Sequence, residues 1–265
     1  FSKDILCRRE RRLELVELLR ESMDRGFAGF SIHYQPQVDT QTGSLQGAEA
    51  LARWHCSKYG DISPGEFIPL LEQSGMIMNM GRWIFCHAAA QCREWCRYMP
   101  DFQMSINLSY MQLSEDDVIE DTLKELGLPP SHVVMELTET YLATADEETL
   151  RMLNDMKAAG IRVAMDDFGV GYSSLFSLKT IPVDIVKIDR GFVKGITSDL
   201  FNATFIRSIT ELCHDVGKQV CLEGVETGEE YLAVKELGME YIQGFYFGRP
   251  EPPDVFEKRL KCLKE

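Results

Sequence analysis

The chain has 265 residues, 45% of them apolar, and carries 28 Lys and Arg against 42 Asp and Glu for a net charge of −14. That length suits one large α/β domain. The acidic balance argues against a duplex DNA or RNA binder, which needs a basic face, but leaves phosphate esters open if a metal ion reverses the local charge.

In chain order, short β-type runs alternate with helical ones. Strands are predicted at 30–38, 47–54, 102–109, 132–139, 161–168, 183–189, 218–225 and 240–247, and helices at 9–25, 64–73, 77–98, 115–126, 145–159, 199–216, 226–237 and 252–264. Thr144 before "ADEETL" and Thr227 before "GEEYL" read as helix caps. Eight strands alternating with helices predict an α/β fold, a (β/α)₈ TIM-type barrel. The link "DTQTGSLQ" between the first two runs is too short for a helical crossover, so that pair should be antiparallel and one barrel strand reversed.

Eight cysteines lack any CxxC pair. "CHAAAQCREWC" could suggest a metal site with His87, but small apolar residues around Trp95 read as a buried helix. The cysteine pattern suggests a reducing cytosol, and no apolar run reaches the ~18 residues of a membrane span. Phe1 in place of a start methionine leads us to expect one domain over 1–265, cut from a larger protein.

Polar residues gather where the strands end. Asn107, Glu136, Asp166, Lys187, Glu223 and Gln243 lie near strand exits, and Glu49 lies inside the second run. In a (β/α)₈ barrel these ends share one face, where active sites form. So many carboxylates in one cavity require a compensating cation, and oxygen-only donors favour Mg²⁺ or Mn²⁺ over zinc. The doublet Asp166-Asp167 sits where the chain begins to turn, so each acid could reach a different ion of a pair about 3.5–4 Å apart, the usual clamp for displacement at phosphorus. Ca²⁺ should bind but inhibit, because its looser geometry misplaces the attacking water. Lys187 could hold an attacking hydroxide, form a Schiff base, or simply pair with Asp189 or Asp184. Arg53, four residues after Glu49 on the same strand face, could hold a phosphate.

The motifs "YQPQVD", "EALARW", "GDISPGEFIPLLEQSG", "SINLS", "ELTET", "DDFGVGYSSL", "VKIDRGFV", "EGVET" and "QGFYFGRP" occur in the order found in the EAL-domain cyclic di-GMP phosphodiesterases, which this chain resembles from about residue 13 to its end. The resemblance implies metal-dependent, cytoplasmic hydrolysis of the bacterial messenger cyclic di-GMP to linear pGpG, or, as the alternative, a silent receptor for it. By position it implies that Glu49, Asn107 and Glu136 bind a first ion, Asp166 bridges, and Asp167 binds a second. Lys187 then steadies the attacking water, and Glu223 is a ligand or proton acceptor. Glu139 holds the loop after the doublet, while Gln35, Arg53, Glu226 and Gln243 bind the dinucleotide or order the site. It further implies a homodimer through "GYSSLFSLKTIP", with Tyr172, Leu175, Phe176 and Leu178 on an apolar helix surface, and a sensor or GGDEF domain in the parent protein. No direct membrane contact and no nucleic-acid polymer is expected. Two positions depart from the usual pattern: Val170 replaces a threonine in the loop, and Leu222 replaces an alanine before "EGVE".

Overall fold

The structure, a computed structural model, describes residues 2–171 and 175–262. After helix α1 (Ser2–Asp24) come β1 (Phe30–Asp39), β2 (Leu45–Cys56) and β3 (Gly60–Ile62), then α2 (Pro64–Gln73) and α3 (Ile77–Trp95). The alternating part follows: β4 (Gln103–Asn107), α4 (Asp116–Leu126), β5 (Val133–Thr138), α5 (Glu139–Leu142), α6 (Glu147–Ala158), β6 (Arg162–Phe168), α7 (Leu175–Thr180) and β7 (Ile185–Ile188). The chain then runs through α8 (Leu200–Asp215), β8 (Gln219–Glu223), α9 (Gly228–Val234), β9 (Tyr241–Gln243) and α10 (Pro253–Cys262).

Eight strands close into a barrel: β2 and β4 to β9 are parallel neighbours in sequence order, and β1 seals the gap antiparallel to both β2 and β9. The short link before β2 forces that reversal, as expected. The β3 strand, which the sequence pattern does not announce, hangs on β2 outside the closed ring.

Period-2 alternation sorts the side chains of β1. Tyr34 and Ile32 point outward into the core, where Tyr34 meets Trp95 edge-on at 4.7 Å and Trp95 stacks on Phe256 at 4.7 Å. That aromatic layer pins α3 and α10 to the barrel wall. Gln35 and Gln37 take the other face, toward the barrel axis. The cysteines of α3 serve packing: Cys92 is buried, and the seven cysteines whose side chains are described are free thiols. His87 lies exposed with its ring tilted against Trp83, and among the described residues no group of His, Cys or carboxylate ligands with metal spacing forms there.

Two local expectations are corrected. Asp146, not Thr144, caps α6, its carboxylate accepting the Thr149 N–H at 2.9 Å. The Thr144 hydroxyl instead donates to the Tyr141 carbonyl. Thr227 does cap α9, with a reciprocal bond from Glu230 that completes a capping box. Leu178, expected on an apolar surface, is buried in the core, whereas Leu175 beside it is 58% exposed. Tyr172 and Ser173 lie outside the described residues.

Candidate active site

At the C-terminal ends of the parallel strands, residues distant in sequence converge on one ammonium. Lys187 of β7 is 1% exposed. Its Nζ lies 2.6 Å from Glu136 of β5, 2.8 Å from Glu223 of β8, 3.1 Å from Asp166 of β6 and 3.5 Å from Glu49 of β2. The simple pairing with Asp184 or Asp189 does not occur: Asp184 pairs with Lys157, and Asp189 accepts the Gly191 N–H. Barrel closure brings the four remote acids nearer than the sequence neighbours.

Burial and charge act together on these groups. Burial pulls Lys187 down, but four carboxylates outweigh it and hold its pKa well above the usual lysine range. The ammonium therefore keeps its proton. Burial pushes Glu136 well up, and raises Glu223 to about 8. Glu49 is pushed up by burial too, yet Lys187 and the amides of Gln243 and Asn107 win, and its net shift is downward. Asn107 Nδ2 donates to Glu49 Oε1 at 2.7 Å, and Gln243 Nε2 donates to Oε2 at 2.6 Å.

The acid doublet has a backbone explanation. The β6–β7 register slips between Met165 and Phe168, so Asp166 and Asp167 occupy a bulge inside β6 rather than its exit. Asp167 adopts φ +57°, a left-handed conformation rare outside glycine but tolerated by Asp and Asn. The bulge overrides strand alternation, and both carboxylates reach the same side. Oxygens of Asp166, Asp167 and Glu223 come within 4.8 Å of one another, the one acidic cluster with metal-ligand spacing among the described residues. Burial first, then the neighbouring Asp166 and Asp189, raises the Asp167 pKa.

Beyond the bulge, Glu139 is 2% exposed and accepts the Gly169 N–H at 2.9 Å. Gly169 has φ +97°, and a Cβ there would meet the Phe192 ring at 2.5 Å, so only glycine fits. Arg53 stands half-buried one step above Leu51 on the inward face of β2 and donates to the Ala52 carbonyl at 2.8 Å. Gln35 is drawn into the cluster through Gln243 at 3.1 Å and holds the Gly248 carbonyl at 3.2 Å. Glu226 is not brought in: it is exposed, and its N–H belongs to the turn into α9, bonded to Glu230. Leu222 is fully buried, a packing difference only, and Val170 is exposed. Sequence reasoning missed Gln37 and Ser105, which lie beneath Gln243. Their signal was the period of two that places them on the inward faces bearing Gln35 and Asn107.

The arrangement gathers five carboxylates against one ammonium, a formal charge of −4 when all are ionised. Glu136 Oε1 is buried with no hydrogen-bond partner, and Asp166 Oδ1, close to Lys187, also lacks a hydrogen bond of good geometry. Orphaned buried carboxylate oxygens and an all-oxygen donor set fit a hard divalent cation.

Comparison with known proteins agrees with this geometry. The family model described as "EAL domain" matches residues 17–250. The bifunctional diguanylate cyclase/cyclic di-GMP phosphodiesterase MucR of Pseudomonas aeruginosa is 34% identical over 258 residues, covering 96% of this chain and 37% of that protein. The cyclic di-GMP phosphodiesterase PdeR of Escherichia coli is 34% identical over 233 residues, covering 87% of this chain and 35% of that protein. The chain thus spans about a third of the length of these curated relatives. Among solved structures, the PaMucR phosphodiesterase in complex with c-di-GMP superposes with TM-score 0.85 at 35% identity, covering 92% of this chain and 99% of that one.

Proposed function

The chain belongs to the EAL domain family, and from that premise we propose that it hydrolyses one phosphodiester of cyclic di-GMP to linear pGpG, using Mg²⁺ or Mn²⁺. The observation that carries this reading is the set of four carboxylates converging on the protonated Lys187 at the strand ends, with Asp167 beside Asp166 and Glu223 and with orphaned buried oxygens that a cation would satisfy. Relatives named for this phosphodiesterase activity, and a similar structure with c-di-GMP bound, support the choice of substrate.

Glu49, Asn107, Glu136 and Asp166 would hold one ion, Asp166 and Asp167 a second, and Glu223 would serve as a ligand or proton acceptor. When bound, such ions supply Lewis-acid polarisation of the phosphoryl oxygens and neutralise developing charge. Lys187 acts as a fixed cation that orients the attacking water. Glu223, whose side chain keeps 19% of its surface open, would receive the proton that this water gives up once its own proton has been displaced by cation binding. Water oxygen bonds to phosphorus as the P–O3′ bond breaks, the departing oxygen takes a proton from solvent, and the product carries a 5′-phosphate and a free 3′-hydroxyl. Gln243 and Gln35 hold Glu49 in place, and the Arg53 guanidinium offers its donors to the phosphate. Glu139 keeps the loop after the doublet folded against the site. Glu226, exposed in the turn before α9, would help bind the dinucleotide from outside this cluster. A Schiff-base role for Lys187 is disfavoured because its amine is charged, buried and fully engaged.

We assign residues 1–265 to a single catalytic domain that works in the cytoplasm, where free thiols such as its own persist. Its parent carries a sensor or GGDEF domain, and it pairs with a second copy through the face around Leu175. Incubating the purified chain with cyclic di-GMP and Mg²⁺ and resolving the nucleotides by chromatography tests the reaction. Appearance of pGpG supports it; tight binding without product, in a folded and cation-loaded chain, would make it a receptor.

A further inference from the structure

Glu49 depends on the orientation of one primary amide. Gln243 Nε2 donates at 2.6 Å to Glu49 Oε2 and at 3.1 Å to Gln35 Oε1, so both of its N–H bonds are committed. Were the amide turned over, its carbonyl oxygen would face a carboxylate and another carbonyl, three acceptors without a donor. Gln35, Glu49 and Gln243 are all buried, which makes such a clash costly. Gln37 opposes the turn from the other side of the amide. Its Nε2 donates at 3.0 Å to Gln243 Oε1, the one acceptor of that amide. Gln37 is in turn held by Ser105, whose Oγ lies 3.3 Å from both its Nε2 and its Oε1.

The barrel builds this relay from backbone register. Gln37 sits directly across from Gln243 in the β1–β9 ladder and across from Gly47 in β1–β2. A side chain at Gly47 is excluded, since its Cβ would lie 2.2 Å from the Gln103 carbonyl oxygen. Gln37 therefore has room to reach sideways. Its side-chain hydrogen bonds among the described residues go to Gln243 and Ser105 and not to the carboxylates.

We propose that Gln37 is a positioning residue for the phosphodiesterase site, which locks the Gln243 amide so that both its hydrogens point at Glu49 and Gln35. The inference rests on the phosphodiesterase reading only for its catalytic readout. The test is a double-mutant cycle with Gln37→Met, which keeps length but removes the donor, and Gln243→Ala. Gln37→Met alone should lower kcat about tenfold, the scale of one buried hydrogen bond. KM should stay within about twofold, because Glu49 does not select the substrate. In the Gln243→Ala background the same change should cost less than about twofold, because no amide remains to orient. Losses that simply multiply would overturn the proposal, since a role in packing alone acts independently of Gln243.

A second arm needs neither ions nor substrate. In the metal-free chain, nitrogen-15 spectra should show slow rotation and slow exchange of the Gln243 side-chain amide, and both should quicken in Gln37→Met. Unchanged amide behaviour would overturn the proposal even if the chain turned out to be a silent receptor. Thermal unfolding checks that the variant folds. Should it not, Ser105→Ala, which loosens Gln37 without touching Gln243, takes its place in both arms with the same expected direction.

Discussion

Replacing Glu139 by alanine separates control of the loop from binding of the ion. Glu139 begins α5, three residues past Glu136, and its buried carboxylate accepts the Gly169 N–H at 2.9 Å. A hydrogen bond to a charged group contributes about 1.5–3 kcal/mol, more than a neutral one. Gly171 lies close to the same carboxylate: a Cβ there would lie 3.5 Å from Glu139 Oε2. The bulge residue Asp167 is two positions before Gly169, so freeing this loop releases the backbone that aims Asp167. Glu139→Ala should therefore lower kcat by ~10²-fold, about 2.7 kcal/mol by transition-state arithmetic. Glu139→Gln, which retains a neutral acceptor, should lose less than ~10-fold. Calorimetric titration with Mg²⁺ beside rate measurement decides the cause. The first ion should stay bound in Glu139→Ala and disappear in Glu136→Ala. If both variants lose it equally, Glu139 is a ligand and the loop argument fails.

Four further outcomes follow from the same geometry. With Asp167 at φ +57°, Asp167→Asn should keep the fold while losing the second ion, whereas Asp167→Val should cost about 1–2 kcal/mol more in denaturant unfolding; equal stability would refute the strained-bulge account. Asp166→Asn should weaken both ions and turnover together, and retention of either ion at full affinity would deny it a bridging place. Ca²⁺ should bind and inhibit while Mg²⁺ and Mn²⁺ support turnover; full activity in a chelator would end the metal reading. Light scattering at micromolar concentration should find a dimer that Leu175→Glu splits, because Leu175 and Phe201 are 58% and 68% exposed beside the Gly169 loop; a monomer with full activity would remove both the dimer and its coupling to the loop.

Much of this could be read before folding. The reversed first strand followed from the length of one link, and Asn107, Glu136, Lys187 and Glu223 declared themselves by recurring at strand exits. What escaped depended on contacts or torsions that no local pattern encodes. In "TADEE" both Thr144 and Asp146 can cap a helix, and only the backbone angles choose Asp146. The positive φ of Asp167 belongs to a non-glycine residue, so nothing in "MDDFG" marks the bulge as lying inside the strand. Leu178 falls in a six-residue helix, too short for periodicity to tell its buried face from its open one. Glu226 stands within the motif "EGVET" yet outside the cluster, because the chain has already turned toward α9.

The partners of Lys187 show why such a site taxes its own fold. Neighbouring acids were available at Asp184 and Asp189, but closure of the barrel set four remote carboxylates around the ammonium instead. One cation cannot neutralise them, so burial forces protons onto some: Glu136 is pushed well up and Glu223 to about 8. A carboxylate whose folded pKa exceeds its unfolded value stabilises the fold fully below the unfolded value, and loses that stability as pH rises through the folded one. For Glu223 the window runs from 4.5 to about 8. Glu49, shifted downward, acts below that window, and Lys187, shifted upward, acts above it. The metal-free chain should therefore melt at progressively lower temperature between pH 5 and pH 8. Mg²⁺ should flatten the slope by replacing the protons, and calorimetry in buffers of different ionisation enthalpy should register their release. A melting temperature independent of pH without metal, or ion binding without proton release at pH 7, would mean that the acids are already neutralised some other way, and that the cluster has no need of a cation.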